Sequence, residues 1–262
     1  MYSFTVYLRA TIITLVLFSS ARCTLATTSL TSSEAPTPTL QPSPRPTEIP
    51  RLTPTSSLTT YAFPQEIDPA AKYLFYLHGG IIEEQGIPAI SPDFGEYEYE
   101  EILAALQSHG FVVISEQRPK GANVQAYAQA LVGQVDQLIA AGVPPSSITV
   151  VGASKGAIIA AQASSLIPYA NVNYVLLGSC HSEMIQEWAA AGWTLNGNVL
   201  SIYDSADEEF AGSCLDLFAC SEDHGLGRHE EIVLQVGTGH GVLYQPLEEW
   251  ITPTVRWATE AP

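Results

Sequence analysis

Six short runs along the chain are apolar on both faces: Tyr73–Leu77, Phe111–Ile114, Ile148–Val151, Tyr174–Leu177, Val199–Tyr203 and Ile232–Val236. A strand with one wet face alternates apolar and polar residues. These runs do not, so they predict strands covered on both sides, as in a parallel sheet. Between them lie longer stretches with helical spacing: Tyr97–His109, Val124–Ala141, Lys155–Leu166, Ser182–Ala191 and Leu247–Thr259. Repeated strand–helix–strand order predicts an α/β fold, with a mostly parallel central sheet and helices on both faces. Gly110 and Gly142 punctuate the first two helices, and Pro253 predicts a bend or interruption in the last.

The first 60 residues follow a different pattern. Residues 1–26 read as an export signal: Arg9 stands before an apolar stretch, Ala10–Phe18, too short to span a bilayer, and small residues follow at Ser19-Ser20-Ala21 and Thr24-Leu25-Ala26. Lipid anchoring through Cys23 is the alternative, against which stands the bulky Arg22 before it. Residues 27–60 hold 16 Ser/Thr and 7 Pro with no Gly, too polar to offset the entropy of ordering. They read as an extended tether, and residues 61–262 as the folded domain. The expected location is outside the cell, secreted or held at the surface by the N-terminus.

Charge sharpens this division. The chain has 10 Lys+Arg against 27 Asp+Glu, a net charge of −17. Residues 61–262 alone hold 6 and 25, which is −19. Such a domain repels a phosphate backbone, so nucleic acid is excluded as a partner.

The chemistry concentrates at Gly152-Ala153-Ser154-Lys155-Gly156, a G-x-S-x-G match that directly follows one predicted strand and opens a predicted helix. That context is what a nucleophile elbow requires: flanking glycines let the chain turn sharply and leave the Ser154 hydroxyl above the sheet. A serine hydroxyl needs a general base, and the base needs an orienting carboxylate. Of six histidines, His240 is best placed, in Gly237-Thr238-Gly239-His240-Gly241 after the last strand. Two aspartates follow the Val199–Tyr203 run. Asp207 lies where the chain can turn back toward the histidine and is favoured over Asp204 at the strand tip.

These features together, with His78-Gly79-Gly80 after the first strand, resemble the α/β-hydrolases over residues 70–260, in that family's Ser…Asp…His order. The resemblance implies an oxyanion hole made by the backbone amides of Gly80 and Lys155, with His78 structural in its loop. It departs from the family in two ways. Only residues 61–72 precede the first strand, so the usual leading hairpin is short or missing. Lys155 also places a cation beside a helix start, where the dipole disfavours it; pairing with a carboxylate is its expected role.

Residues 178–198 leave room for one helix and no large lid. The best remaining cover is Ile81–Glu101, which carries seven acids: Glu83, Glu84, Asp93, Glu96, Glu98, Glu100 and Glu101. These carboxylates would favour neutral or cationic substrates and repel anionic ones; a solvated acidic rim with no part in substrate choice is the alternative. Cys214 and Cys220 can close a small loop, and Cys180 can pair with either. No cysteine–histidine spacing suggests a metal, and no cofactor is expected. The expected function is a serine hydrolase that cleaves carboxylic esters through an acyl-enzyme, with a small-molecule ester or amide as its partner. The alternatives are a peptidase or amidase on the same triad, and an exported binding module without catalysis.

Overall fold

The structure is a computed structural model that describes residues 61–260. The expected export signal, the expected tether and the anchoring alternative at Cys23 lie outside the described residues. Six strands form one sheet: β1 (Lys72–Leu77), β4 (Phe111–Ile114), β5 (Ile148–Ala153), β6 (Asn173–Leu177), β7 (Gly197–Asp204) and β8 (Leu226–Leu234). Their order is β4-β1-β5-β6-β7-β8, and every neighbouring pair is parallel. This is the α/β architecture that the apolar runs predict. Among the described residues no strand precedes β1. Instead the Tyr61 carbonyl accepts from the Ser115 amide at 2.7 Å, beside the end of edge strand β4.

Two hydrophobic layers explain why the strands lack a polar face. Tyr73, Phe75, Val150, Tyr174, Leu176 and Val199 point to one side. There they meet α3 (Val124–Ala140), α4 (Lys155–Leu166), α5 (Ser182–Ala191) and α6 (Leu215–Ser221). Leu74, Tyr76, Val151, Val175, Leu177 and Leu200 point to the other, against α1 (Gly80–Gln85), α2 (Tyr99–Ser108) and α7 (Glu248–Thr259). Alternate residues of one strand thus feed opposite cores.

Two expectations are corrected, and the segment read as the best remaining cover gains definite structure. Strand β8 begins at Leu226 rather than Ile232; it is a sheet edge whose first residues are largely exposed, so its start has no apolar signature. The last helix is not interrupted at Pro253, which removes one backbone donor while buried Trp250, Ile251 and Trp257 hold both halves against the sheet. Residues 81–101 form structure of their own: most of α1, then an antiparallel hairpin of β2 (Ala89–Ser91) and β3 (Gly95–Tyr97), then the start of α2. Between β6 and β7 there is the single helix α5, with no inserted lid.

Candidate active site

Ser154 stands between β5 and α4 with φ 53° and ψ −118°, a backbone region that non-glycine residues rarely occupy. The turn is sharp enough to require both glycines of the motif. A Cβ on Gly152 would lie 2.2 Å from the Gly156 carbonyl oxygen, and one on Gly156 would lie 1.9 Å from that of Leu77. The Ser154 amide donates to the Leu177 carbonyl at 2.8 Å, which fixes the elbow to the end of β6.

His240 lies in a short 3-10 turn, Gly239–Leu243, after β8. Its Nδ1 meets Asp207 Oδ2 at 2.6 Å, and both side chains are buried. Asp207 Oδ1 accepts from the Phe210 amide at 3.1 Å, so neither carboxylate oxygen is idle. Asp204 does other work. Its Oδ2 accepts from the amides of Thr238 and Gly239 at 2.9 and 3.1 Å, and its Oδ1 from Ala206 at 3.3 Å. The strand-tip aspartate therefore fastens the histidine's loop, and the aspartate three residues on faces the ring.

Gly80 and Lys155 begin α1 and α4, so neither backbone amide has an acceptor within its own helix. They lie side by side: a Cβ on Gly80 would be 3.8 Å from Lys155 Cβ. Tyr97 supports the loop before them, bonding Tyr76 across hydroxyls at 2.6 Å and accepting from the Gly79 amide at 3.4 Å. Burial pushes the Tyr97 phenol up to about 12. His78 is buried; its Nε2 accepts from the Arg118 amide at 2.9 Å, and its Nδ1 lies 2.8 Å from the Gly79 carbonyl oxygen. Burial, and then the Arg118 charge, lower its pKa to about 4, so the ring is neutral and serves the loop.

A cavity of about 320 Å³ joins these elements. Ser154, His240, Gly80 and Lys155 line it, together with Phe94, Tyr97, Phe210 and Tyr244. Phe210 and Phe94 pack on the His240 ring at 4.9 and 6.2 Å between centroids. The β2–β3 hairpin brings Phe94 and Tyr97 into place, and the Glu98 amide beyond it donates to the Tyr244 carbonyl at 2.8 Å. The aromatic wall escaped sequence reading because its members come from three separate segments. Of the seven acids in residues 81–101, only Asp93 lines the cavity. Glu83 turns inward instead and takes Lys155 as its partner, the pairing expected for that lysine.

A disulfide joins Cys180, after β6, to Cys214, before α6, with Cα atoms 5.2 Å apart. The alternative pairing of Cys214 with Cys220 is not formed: Cys214 caps the start of α6 and Cys220 lies near its end, so helical rise sets them about 9 Å apart, beyond disulfide reach. Among the described residues no cysteine is free, and no cluster of His, Cys, Asp or Glu has an arrangement suited to a metal ion.

No family model matches the sequence, and no curated protein matches it. Solved structures with a similar chain path include the esterase Pf2001 of Pyrococcus furiosus, at 16% identity and TM-score 0.45, covering 73% of this chain and 85% of that one. SOBER1 of Arabidopsis thaliana is 16% identical with TM-score 0.44, covering 71% and 100%. A predicted CIB-like hydrolase of Thermoplasma acidophilum is 16% identical with TM-score 0.43, covering 70% and 84%.

Proposed function

We propose that this chain is a serine hydrolase of the α/β-hydrolase superfamily that cleaves small carboxylic esters through an acyl-enzyme. The observation that carries the reading is the Asp207–His240 contact at 2.6 Å, with His240 lining the same cavity as a serine held at positive φ. Ser154 Oγ attacks the ester carbonyl while His240 Nε2 takes its proton. Asp207 holds the ring in the tautomer with hydrogen on Nδ1 and stabilises the imidazolium. The Gly80 and Lys155 amides receive the carbonyl oxygen as it becomes negative, a contribution of about 3 kcal/mol for each such donor. His240 then protonates the leaving alcohol, and water attacks the acyl-Ser154 by the same proton route in reverse.

The cavity volume and its aromatic wall support short acyl groups or compact aromatic esters over long lipid chains. The Cys180–Cys214 bridge supports an oxidising compartment and thus export. Treatment with a fluorophosphonate probe tests the nucleophile: folded wild type is expected to label and Ser154→Ala is not. Equal labelling of the two, or none of either, would overturn the reading.

A further inference from the structure

The largest buried charge cluster among the described residues lies between the two helices that carry the proposed oxyanion amides. Glu83, on α1, has both oxygens engaged: Oε1 accepts from Arg118 Nε at 2.8 Å, and Oε2 accepts from Lys155 Nζ. Glu83 and Arg118 have side-chain exposures of 2% and 1%, so water has little part in this pairing. Arg118 also donates from a guanidinium nitrogen to the His78 carbonyl, and from its own amide to the His78 ring at 2.9 Å. One carboxylate thereby links the segment His78–Glu83, which includes Gly80, to the side chain of the residue whose amide is the second donor.

Buried ion clusters of this kind seldom raise stability relative to apolar packing, since the cost of desolvating each charge is large. Positional specificity is their better-supported use. Here such a device has something to position. Helix α1 spans six residues and has no side-chain cap at Gly79, and beside Gly80 stands the aliphatic stem of Lys155. Without a fixed link, α1 can shift along α4, and the two amides then lose their common focus. The cluster holds two cations against this one carboxylate, so Glu83 fastens both at once.

We infer that Glu83 is a positioning residue for the oxyanion hole: by binding Lys155 and Arg118 at once, it sets the spacing of the Gly80 and Lys155 amides. This rests on the serine hydrolase reading above. It acts on the transition state more than on ground-state binding, because the amides are aimed at an oxyanion that the bound ester has not yet formed.

Steady-state hydrolysis of p-nitrophenyl acetate and inhibition by a trifluoromethyl ketone, which forms a tetrahedral oxyanion adduct on serine, test the inference in wild type, Glu83→Gln and Lys155→Met. For Glu83→Gln the expected result is a kcat lower by about 10- to 100-fold, KM within about twofold, and a ketone Ki that rises in step with the loss of kcat/KM. A merely structural role would lower the active fraction and leave Ki unchanged. Lys155→Met cuts the same link from its more exposed end and is expected to shift both constants in the same direction. Unchanged kcat and Ki in folded Glu83→Gln, or in Lys155→Met if the first variant does not fold, would overturn the inference while leaving the hydrolase reading intact. A wild type with no Ser154-dependent turnover would remove that reading, and the inference with it.

Discussion

Asp207 Oδ2 meets His240 Nδ1 at 2.6 Å, with both groups buried and the second oxygen of Asp207 held by the Phe210 amide. The contact depends on Asp204 three residues earlier, whose carboxylate pins the loop that carries the histidine. The two acids thus divide the labour of orienting one ring and fastening the loop beneath it.

That division separates their mutants. Asp207→Asn is expected to fold with a melting temperature near that of wild type and to lose about 10³- to 10⁴-fold in kcat, because the amide favours the wrong histidine tautomer. Asp204→Ala leaves two loop amides without their acceptor and is expected to cost about 3 kcal/mol of stability. Thermal melts and ester hydrolysis on both variants check this; the opposite assignment of the two losses would contradict it.

The elbow tolerates no side chain at its second glycine. A methyl group on Gly156 would sit 1.9 Å from the Leu77 carbonyl oxygen, which belongs to the central strand β1 and cannot yield. Gly156→Ala is expected to lose more than about 3 kcal/mol or to fail to fold, measured by urea denaturation or by soluble yield. A stable, active Gly156→Ala protein would show that the turn is looser than described.

Acid is expected to weaken the fold through His78. Its pKa falls from 6.5 to about 4 on folding, first through burial and then through the Arg118 charge. A lowered folded pKa means that the unfolded chain binds the proton more tightly. The stabilisation is therefore complete above about pH 6.5 and is lost as pH falls toward 4, an effect of about 3 kcal/mol at most. Urea unfolding at pH 4 and 7 should show this slope in wild type and a shallower one in His78→Gln. Equal slopes in the two would place the acid sensitivity elsewhere.

The Cys180–Cys214 bridge closes a loop with sequence separation 34, and loop-closure entropy assigns it about 4 kcal/mol. The double variant Cys180→Ala/Cys214→Ala should unfold at correspondingly lower urea. It should also lose activity, since the bridge tethers the segment that follows Asp207. An unchanged midpoint would contradict the entropic account.

Much of the fold was legible in the chain because the four interior strands are buried on both faces and, with the apolar edge strand β4, stand out as apolar runs. Edge strand β8 was only half legible, its early residues being solvent-facing and polar. The β2–β3 hairpin has strands of three residues each, too short for any periodicity to register. At the site, Ser154 and His240 were legible from glycine-rich turns placed after strands. The choice between Asp204 and Asp207 was only a preference, because both follow the same strand and their roles differ only in which way each side chain turns. Glu83 and Arg118 lie 35 residues apart in sequence, and nothing local marks them as partners. A count of seven carboxylates in residues 81–101 likewise does not reveal that Glu83 is buried on two cations.

Acyl transfer to Ser154 is the measurement closest to the central claim. Wild-type protein mixed with p-nitrophenyl acetate, quenched in acid and mapped by peptide mass spectrometry is expected to carry an acetyl group on the peptide containing Ser154. Turnover of the same ester is expected to fall by at least about 10³-fold in Ser154→Ala. Hydrolysis by Ser154→Ala at the wild-type rate, with no acetyl group on that peptide in wild type, would contradict the account.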